Sequence, residues 1–181
     1  MPRSLVFNWK QEAARFTPKL RVLDHTGIGR GKPGAQFDDC DVVLTTYGTL
    51  RRDIVDLKDY QFDYAILDEA QAIKNASSLS AKAARLIGAE HRLALSGTPV
   101  ENHLGELWSL FEFLNPGMLG KAEATGKADF GLRKAGEESR ALLAKALRPF
   151  LLRRTKERVA KDLPGKSEQT IYCDLDPPQR K

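Results

Sequence analysis

Tyr64-Ala65-Ile66-Leu67-Asp68-Glu69-Ala70-Gln71 and Arg92-Leu93-Ala94-Leu95-Ser96-Gly97-Thr98-Pro99 decide the fold class of this chain. Each stretch begins as an apolar run and ends in a polar or glycine-containing turn. Unbroken apolarity suits a strand covered on both faces, as in a parallel sheet beneath helices. Between the two, residues 77–87 put Leu79, Ala83, Leu86 and Ile87 on one helical face. Strand, helix and strand in that order make a βαβ unit, so the expected class is α/β with a doubly wound parallel sheet.

The same texture extends upstream. Asp41-Val42-Val43-Leu44-Thr45-Thr46-Tyr47 reads as a strand, residues 20–23 as another, and residues 8–16 as a helix with Trp9, Ala13 and Phe16 on one side. Downstream, Leu104, Leu107, Trp108, Phe111 and Leu114 recur at helical spacing, and Asn115-Pro116-Gly117 stops that helix. Residues 120–138 are rich in Gly, Lys and Glu and read as a solvated connector. A helix is expected over 139–147, ended by Pro149. A basic run with Arg153, Arg154, Lys156, Arg158 and Lys161 follows, then a last strand around Ile171, Cys173 and Leu175.

Composition narrows the class. The 181 residues suffice for one domain with a core, or a domain with an appendage. A chain with 41% hydrophobic and 29% charged residues is not disordered throughout. The formal charge of +5 suits a polyanionic partner and equally an ordinary mildly basic protein. Cys40 and Cys173 stand far apart, with no second cysteine or nearby histidine at ligand spacing. They read as reduced thiols of an intracellular protein, with neither disulfide nor zinc site. The first residues lack the apolar run of a signal peptide, and no stretch is long enough to span a bilayer.

Asp68 and Glu69 follow a buried strand, where open α/β sheets place their ligands. In a phosphate-cleaving enzyme one such carboxylate holds Mg²⁺ and the other activates the attacking water. Alone, the pair reads better as the acidic start of a helix. Ser96-Gly97-Thr98-Pro99 alone reads as an ordinary turn. One helical crossover apart, each after its own strand, the two motifs point to one site. Gly29-Arg30-Gly31-Lys32-Pro33-Gly34 imitates a phosphate loop. Thr26 stands where a Walker A loop needs Gly, Pro33 stands where it needs Ser or Thr, and no helix is expected to open after it.

With these motifs in view, the sequence resembles the Swi/Snf-related helicase-like ATPases of helicase superfamily two. Ser4-Leu5-Val6-Phe7-Asn8-Trp9-Lys10-Gln11-Glu12 is similar to motif Ia and residues 41–47 to motif Ib. Asp68-Glu69-Ala70-Gln71 is similar to motif II, and residues 95–102 to motif III. Residues 106–116 and 147–156 resemble family-specific stretches that general helicases lack.

The resemblance implies a RecA-like lobe over residues 1–115, a helical insertion over 116–166 and the start of an interlobe link over 167–181. It implies ATP and Mg²⁺ as cofactors, with Asp68 holding the metal and Glu69 acting as general base. Gln71, where the family more often has His, would couple nucleotide state to DNA together with Ser96, Gly97 and Thr98. Asn8, Trp9, Thr46, Tyr47 and Asn102 fall in segments that face or support DNA, and Arg153 and Arg154 would brace the two lobes or contact phosphate. Core packing is the competing reading for Trp9 and Tyr47, and a solvated basic face for Arg153 and Arg154. Implied partners are double-stranded DNA, a second RecA-like lobe of the same parent chain and a nucleoprotein substrate. The implied location is the bacterial cytoplasm and nucleoid, or a nucleus.

The Walker A loop is expected ahead of residue 1 and the second lobe beyond residue 181. The expected chain is therefore a fragment, inactive alone, with an unpaired strand edge at residues 93–95. The rival expectation is a non-catalytic DNA- or protein-binding module of the same architecture.

Overall fold

The computed structural model describes residues 1–97, 104–120, 137–154, 159 and 169. Their order is α1 (Val6–Phe16), β1 (Val22–Asp24), α2 (Ala35–Asp38), β2 (Val42–Leu44), α3 (Tyr47–Leu57) and β3 (Gln61–Leu67). Then come α4 (Leu79–Arg85), β4 (Gly88–Ala94), α5 (Leu104–Leu114) and α6 (Glu137–Leu147). The α/β class stands. The strands among the described residues form two parallel pairs, β1 with β2 and β3 with β4. In the first, Leu23 lies opposite Val43. In the second, Gln61 lies opposite Gly88 and Leu67 opposite Ala94. A Cβ at Gly88 would lie 2.7 Å from Oε1, the movable end of the Gln61 side chain, and 3.1 Å from the Tyr60 carbonyl, so a larger residue at that register requires a local shift.

Residues 42–47 and 61–68 line a cleft of about 450 Å³. At its mouth, the Met1 amine donates to the Thr45 carbonyl at 3.1 Å. The Tyr47 amide donates to the Met1 carbonyl at 3.2 Å. This alternation is that of a parallel ladder.

Three sequence expectations need correction. First, β3 is not covered on both faces. Ala65 and Leu67 are buried, whereas Tyr64 and Ile66 are 63% and 52% exposed. Side chains alternate across a strand, and the described helices cover one side only. Second, the strand read over residues 41–47 stops at Leu44. Thr46 then accepts the Thr49 amide and starts α3, which the apolar run had masked. Third, the buried face of α4 consists of Ala81, Ala83 and Ala84, while Leu79 and Leu86 are exposed. Small side chains bring α4 close to α3, and leucines there would hold the two apart.

The core gathers Phe37, Tyr47, Leu50, Leu57, Ile73 and Phe113 around Ala65 and Leu67. Helix α5 is tied in by polar bonds as well as packing. The fully buried Ser109 hydroxyl donates to the Ile73 carbonyl at 2.6 Å. The Arg92 guanidinium donates to the Phe113 carbonyl at 3.0 Å and the Ile87 carbonyl at 2.7 Å. Burial lowers its pKa. The Trp108 indole is buried and donates to the Gly120 carbonyl at 3.0 Å. Gly117 closes the helix with φ +80°, a conformation glycine adopts without penalty.

The glycine-rich segment after β1 is a pinned loop. Arg30 grips Asp53 of α3 with two N–H groups and also donates to the Gly27 carbonyl. His25, 1% exposed, lies 3.0 Å from the same carboxylate. A single turn, α2, does open after Gly34, against expectation. It is too short to cradle a phosphate, and the Arg30 charge is already engaged.

Met1–Ala135 and Gly136–Lys181 form two separate units. In the second, α6 runs into a 3-10 turn at Arg148–Phe150, where Pro149 ends the helix. The strand expected near residues 171–175 lies outside the described residues.

Removing the Ser109 hydroxyl leaves the Ile73 carbonyl without its donor. Ser109→Ala should cost about 1–2 kcal/mol in urea denaturation; an unchanged midpoint would show that this bond does not hold α5. The Asp53 clamp predicts a pH effect. Hydrogen bonding from Arg30, then from His25, holds the Asp53 carboxyl below its ordinary value, with burial opposing. A depressed carboxylate stabilises the fold above its unfolded pKa of about 3.9 and loses that contribution as pH falls through the folded value. Thermal unfolding should therefore fall more steeply below about pH 4 in the wild type than in Asp53→Asn. Parallel acid profiles would contradict the clamp.

Candidate active site at the strand ends

The pairing of β3 with β4 continues past both strands. The Leu95 amide donates to the Leu67 carbonyl and the Ala70 amide to the Leu95 carbonyl, each at 2.8 Å. Those two bonds bring the Asp68-Glu69 turn against the segment that leads to Ser96. The acidic motif and the described start of the second motif, up to Ser96, thus meet at one edge.

The turn is built tightly. Glu69 has φ +51° and ψ +54°, and it is the non-glycine residue with positive φ among the described residues. That left-handed conformation costs a side chain about 1–2 kcal/mol. Hydrogen bonds hold it there. The Asp68 Oδ1 atom accepts the Glu69 amide at 2.9 Å. The Tyr47 hydroxyl donates to the Asp68 carbonyl at 2.9 Å and reaches the Glu69 carbonyl at 3.4 Å. Burial, then the nearby Asp68 and Glu69 charges, raises the pKa of that phenol, so it remains a donor.

A polar line leaves the turn. The Gln71 amide donates to Glu69 Oε2 at 2.6 Å, and the Ser96 hydroxyl donates to Gln71 Oε1 at 3.1 Å. Gln71 uses its donor and its acceptor at once, as a neutral imidazole can. Both carboxylates are partly exposed. Glu69 can therefore meet water and still be oriented by Gln71.

Trp9 comes to the same turn. Its indole N–H donates to Asp68 Oδ2 at 2.7 Å. Sequence reasoning set Trp9 and Tyr47 beside nucleic acid or in the core and did not foresee their bonds to this turn. Nothing in local spacing signals them, because the partners lie 59 and 21 residues away. Thr46 caps α3, with its side-chain oxygen 3.1 Å from the Thr49 amide. Asn8 and Gly97 are exposed in the first unit, and Arg153 and Arg154 are exposed in the second. Thr98 and Asn102 lie outside the described residues.

Among the described residues, no group of three or more His, Cys, Asp or Glu side chains assembles. The donor set is a pair of carboxylates, which suits Mg²⁺. That ion is usually bound through one or two carboxylates with retained waters and substrate phosphates. Each Asp68 oxygen takes one hydrogen bond, from Glu69 and from Trp9, and keeps acceptor capacity for a ligand. The residues present fit the ion.

A family model described as the SNF2-related domain matches residues 1–181. The chain is 42% identical over 181 residues to the putative ATP-dependent helicase/translocase YwqA of Bacillus subtilis, covering 96% of this chain and 20% of that protein. It is 40% identical over 198 residues to the TATA-binding protein-associated factor BTAF1 of Arabidopsis thaliana, covering 99% of this chain and 10% of that protein. Among solved structures, the Sulfolobus solfataricus SWI2/SNF2 ATPase core in complex with dsDNA matches with TM-score 0.77 and 39% identity. The match covers 98% of this chain and 38% of that one. The fold is the RecA-like fold of such cores. The chain spans only a tenth to a fifth of the length of these two curated relatives.

The strain at Glu69 can be measured. Glu69→Gly should unfold at the same or a higher denaturant concentration than wild type, and Glu69→Val should lose about 1–2 kcal/mol. A valine variant as stable as the glycine variant would remove the strain from the account.

Proposed function

This chain belongs to the SNF2-related family, and we propose that it supplies the water-activating half of an ATPase lobe in a double-stranded-DNA translocase. The observation that carries the proposal is the line Glu69–Gln71–Ser96, which joins a strained acidic turn to the segment after the next strand. Asp68 would hold Mg²⁺ through water, and Glu69 accepts a proton from the water whose oxygen bonds to the terminal phosphorus as the bond from that phosphorus to the bridging oxygen breaks and ADP leaves. The bound ion supplies charge neutralisation at the phosphates. Gln71 orients Glu69, and Ser96 relays the state of that contact onward to Thr98 and Asn102. Asn8, Thr46, Tyr47, Asn102, Arg153 and Arg154 are proposed as DNA contacts or as supports for contacts. Phosphate contacts of this kind are independent of base sequence.

The pattern G-x-x-x-x-G-K-[ST] does not occur in the 181 residues. Gly165-Lys166-Ser167 has the ending of such a loop, but Ala160 replaces its first glycine and a heavily charged stretch, residues 153–158, stands where a buried strand would precede it. In this reading a phosphate-gripping loop and a second RecA-like lobe complete the site. Such a motor works where DNA is, in a nucleoid or nucleus, on DNA or a nucleoprotein. A purely non-catalytic platform has no use for a glutamate held in a left-handed conformation, which favours the catalytic reading.

These 181 residues alone should show no ATP turnover. In a protein that joins them to a phosphate-gripping loop, Glu69→Gln should lower ATP hydrolysis at least about 100-fold while ATP binding persists. DNA-stimulated hydrolysis by the isolated chain, or full turnover in the glutamine variant, would overturn the proposal.

A further inference from the structure

The Trp9 indole reaches Asp68 from a partly exposed position. Trp9 is 36% exposed and stands outside the core cluster, while Val6 is the residue that α1 buries. Burial alone does not hold the ring, yet its one polar atom lies 2.7 Å from Asp68 Oδ2. The neighbouring Lys10 is tied to Asp24 at the end of β1, at 3.2 Å. Two consecutive residues of α1 thus reach the carboxyl ends of two different strands.

From this geometry we propose that Trp9 is a positioning residue for Asp68, fixing the rotamer of the metal-holding carboxylate and coupling α1 to metal affinity. The proposal rests on the reading of Asp68 as the Mg²⁺ carboxylate. An aspartate side chain has two torsions to settle. The Glu69 amide engages Oδ1 from within the turn, and the Trp9 indole engages Oδ2 from a separate element. Together they define the carboxylate plane. An indole nitrogen only donates, so it cannot itself ligate the ion. Groups that orient a ligand in this way tune the metal site without touching the metal. If α1 shifts, the Oδ2 bond changes, and metal affinity changes with it. By linkage, metal binding then favours one placement of α1.

The contact and its consequence are separable by experiment. The chain holds two tryptophans, Trp9 and Trp108. In a ¹H–¹⁵N NMR spectrum, the Trp9 indole signal is identified by its loss in Trp9→Phe. In Asp68→Ala it should move and lose protection from solvent exchange, while the Trp108 signal stays in place. A Trp9 signal unmoved by Asp68→Ala overturns the proposal and leaves the role of Asp68 untouched. In a protein that joins these residues to a phosphate-gripping loop, Trp9→Phe keeps the ring and removes the donor. It should raise the Mg²⁺ concentration for half-maximal hydrolysis roughly tenfold, with metal-free ATP binding unchanged. An unchanged Mg²⁺ dependence in Trp9→Phe, alongside a raised one in Asp68→Asn, defeats the positioning role alone. An unchanged dependence in Asp68→Asn defeats the reading beneath it.

Discussion

The parallel pairing of β3 with β4, carried one step past the strand ends, is the constraint on which the site depends. The Leu67–Leu95 and Leu95–Ala70 bonds leave no freedom in where the acidic turn meets Ser96. Parallel strands require a crossover, and α4 provides it at minimal thickness. Ala81, Ala83 and Ala84 are all but inaccessible, so α4 lies close to its neighbours. Gly88 extends the same economy to the start of β4, where Gln61 occupies the space of a side chain.

Around that pairing, backbone strain and polar bonds oppose one another. Glu69 would leave its left-handed conformation if nothing held it. Tyr47 engages the carbonyls on both sides of the strained unit, and Asp68 engages its amide. Their partners come from α3 and from the turn itself, so the strain is shared between two elements. The Asp68 and Glu69 carboxylates are thus each held in place by hydrogen bonds within the fold.

The candidate site was legible in part, and for different reasons at different residues. Asp68, Glu69, Ser96 and Gly97 could be found because each motif follows an apolar run, and one helix between them implies adjacency. The Gln71 link to Ser96 follows once that adjacency is accepted. Trp9 and Tyr47 were noticed, but their bonds to the turn could not be inferred. Long-range contacts depend on how α1 and α3 settle on the strands, and local pattern carries no term for that. The beginning of α3 was lost because Val42, Val43 and Leu44 lead without a break into Thr45, Thr46 and Tyr47. Only the cap geometry of Thr46 separates strand from helix.

The sequence by itself determined the α/β class, the βαβ order, helix α5 with its glycine stop, and the family. Each of these is written in local periodicity or in a short motif. Only the tertiary structure decided which faces are covered. It buried alanines on α4 and left Leu79 and Leu86 outside, and it covered one face of β3 while Tyr64 and Ile66 stayed in solvent. It also decided that the Trp9 indole ends at a carboxylate. Periodicity says that a residue can be buried. Which side chain is buried, and against what, depends on the distance between elements, and that is set by residues far apart in the chain.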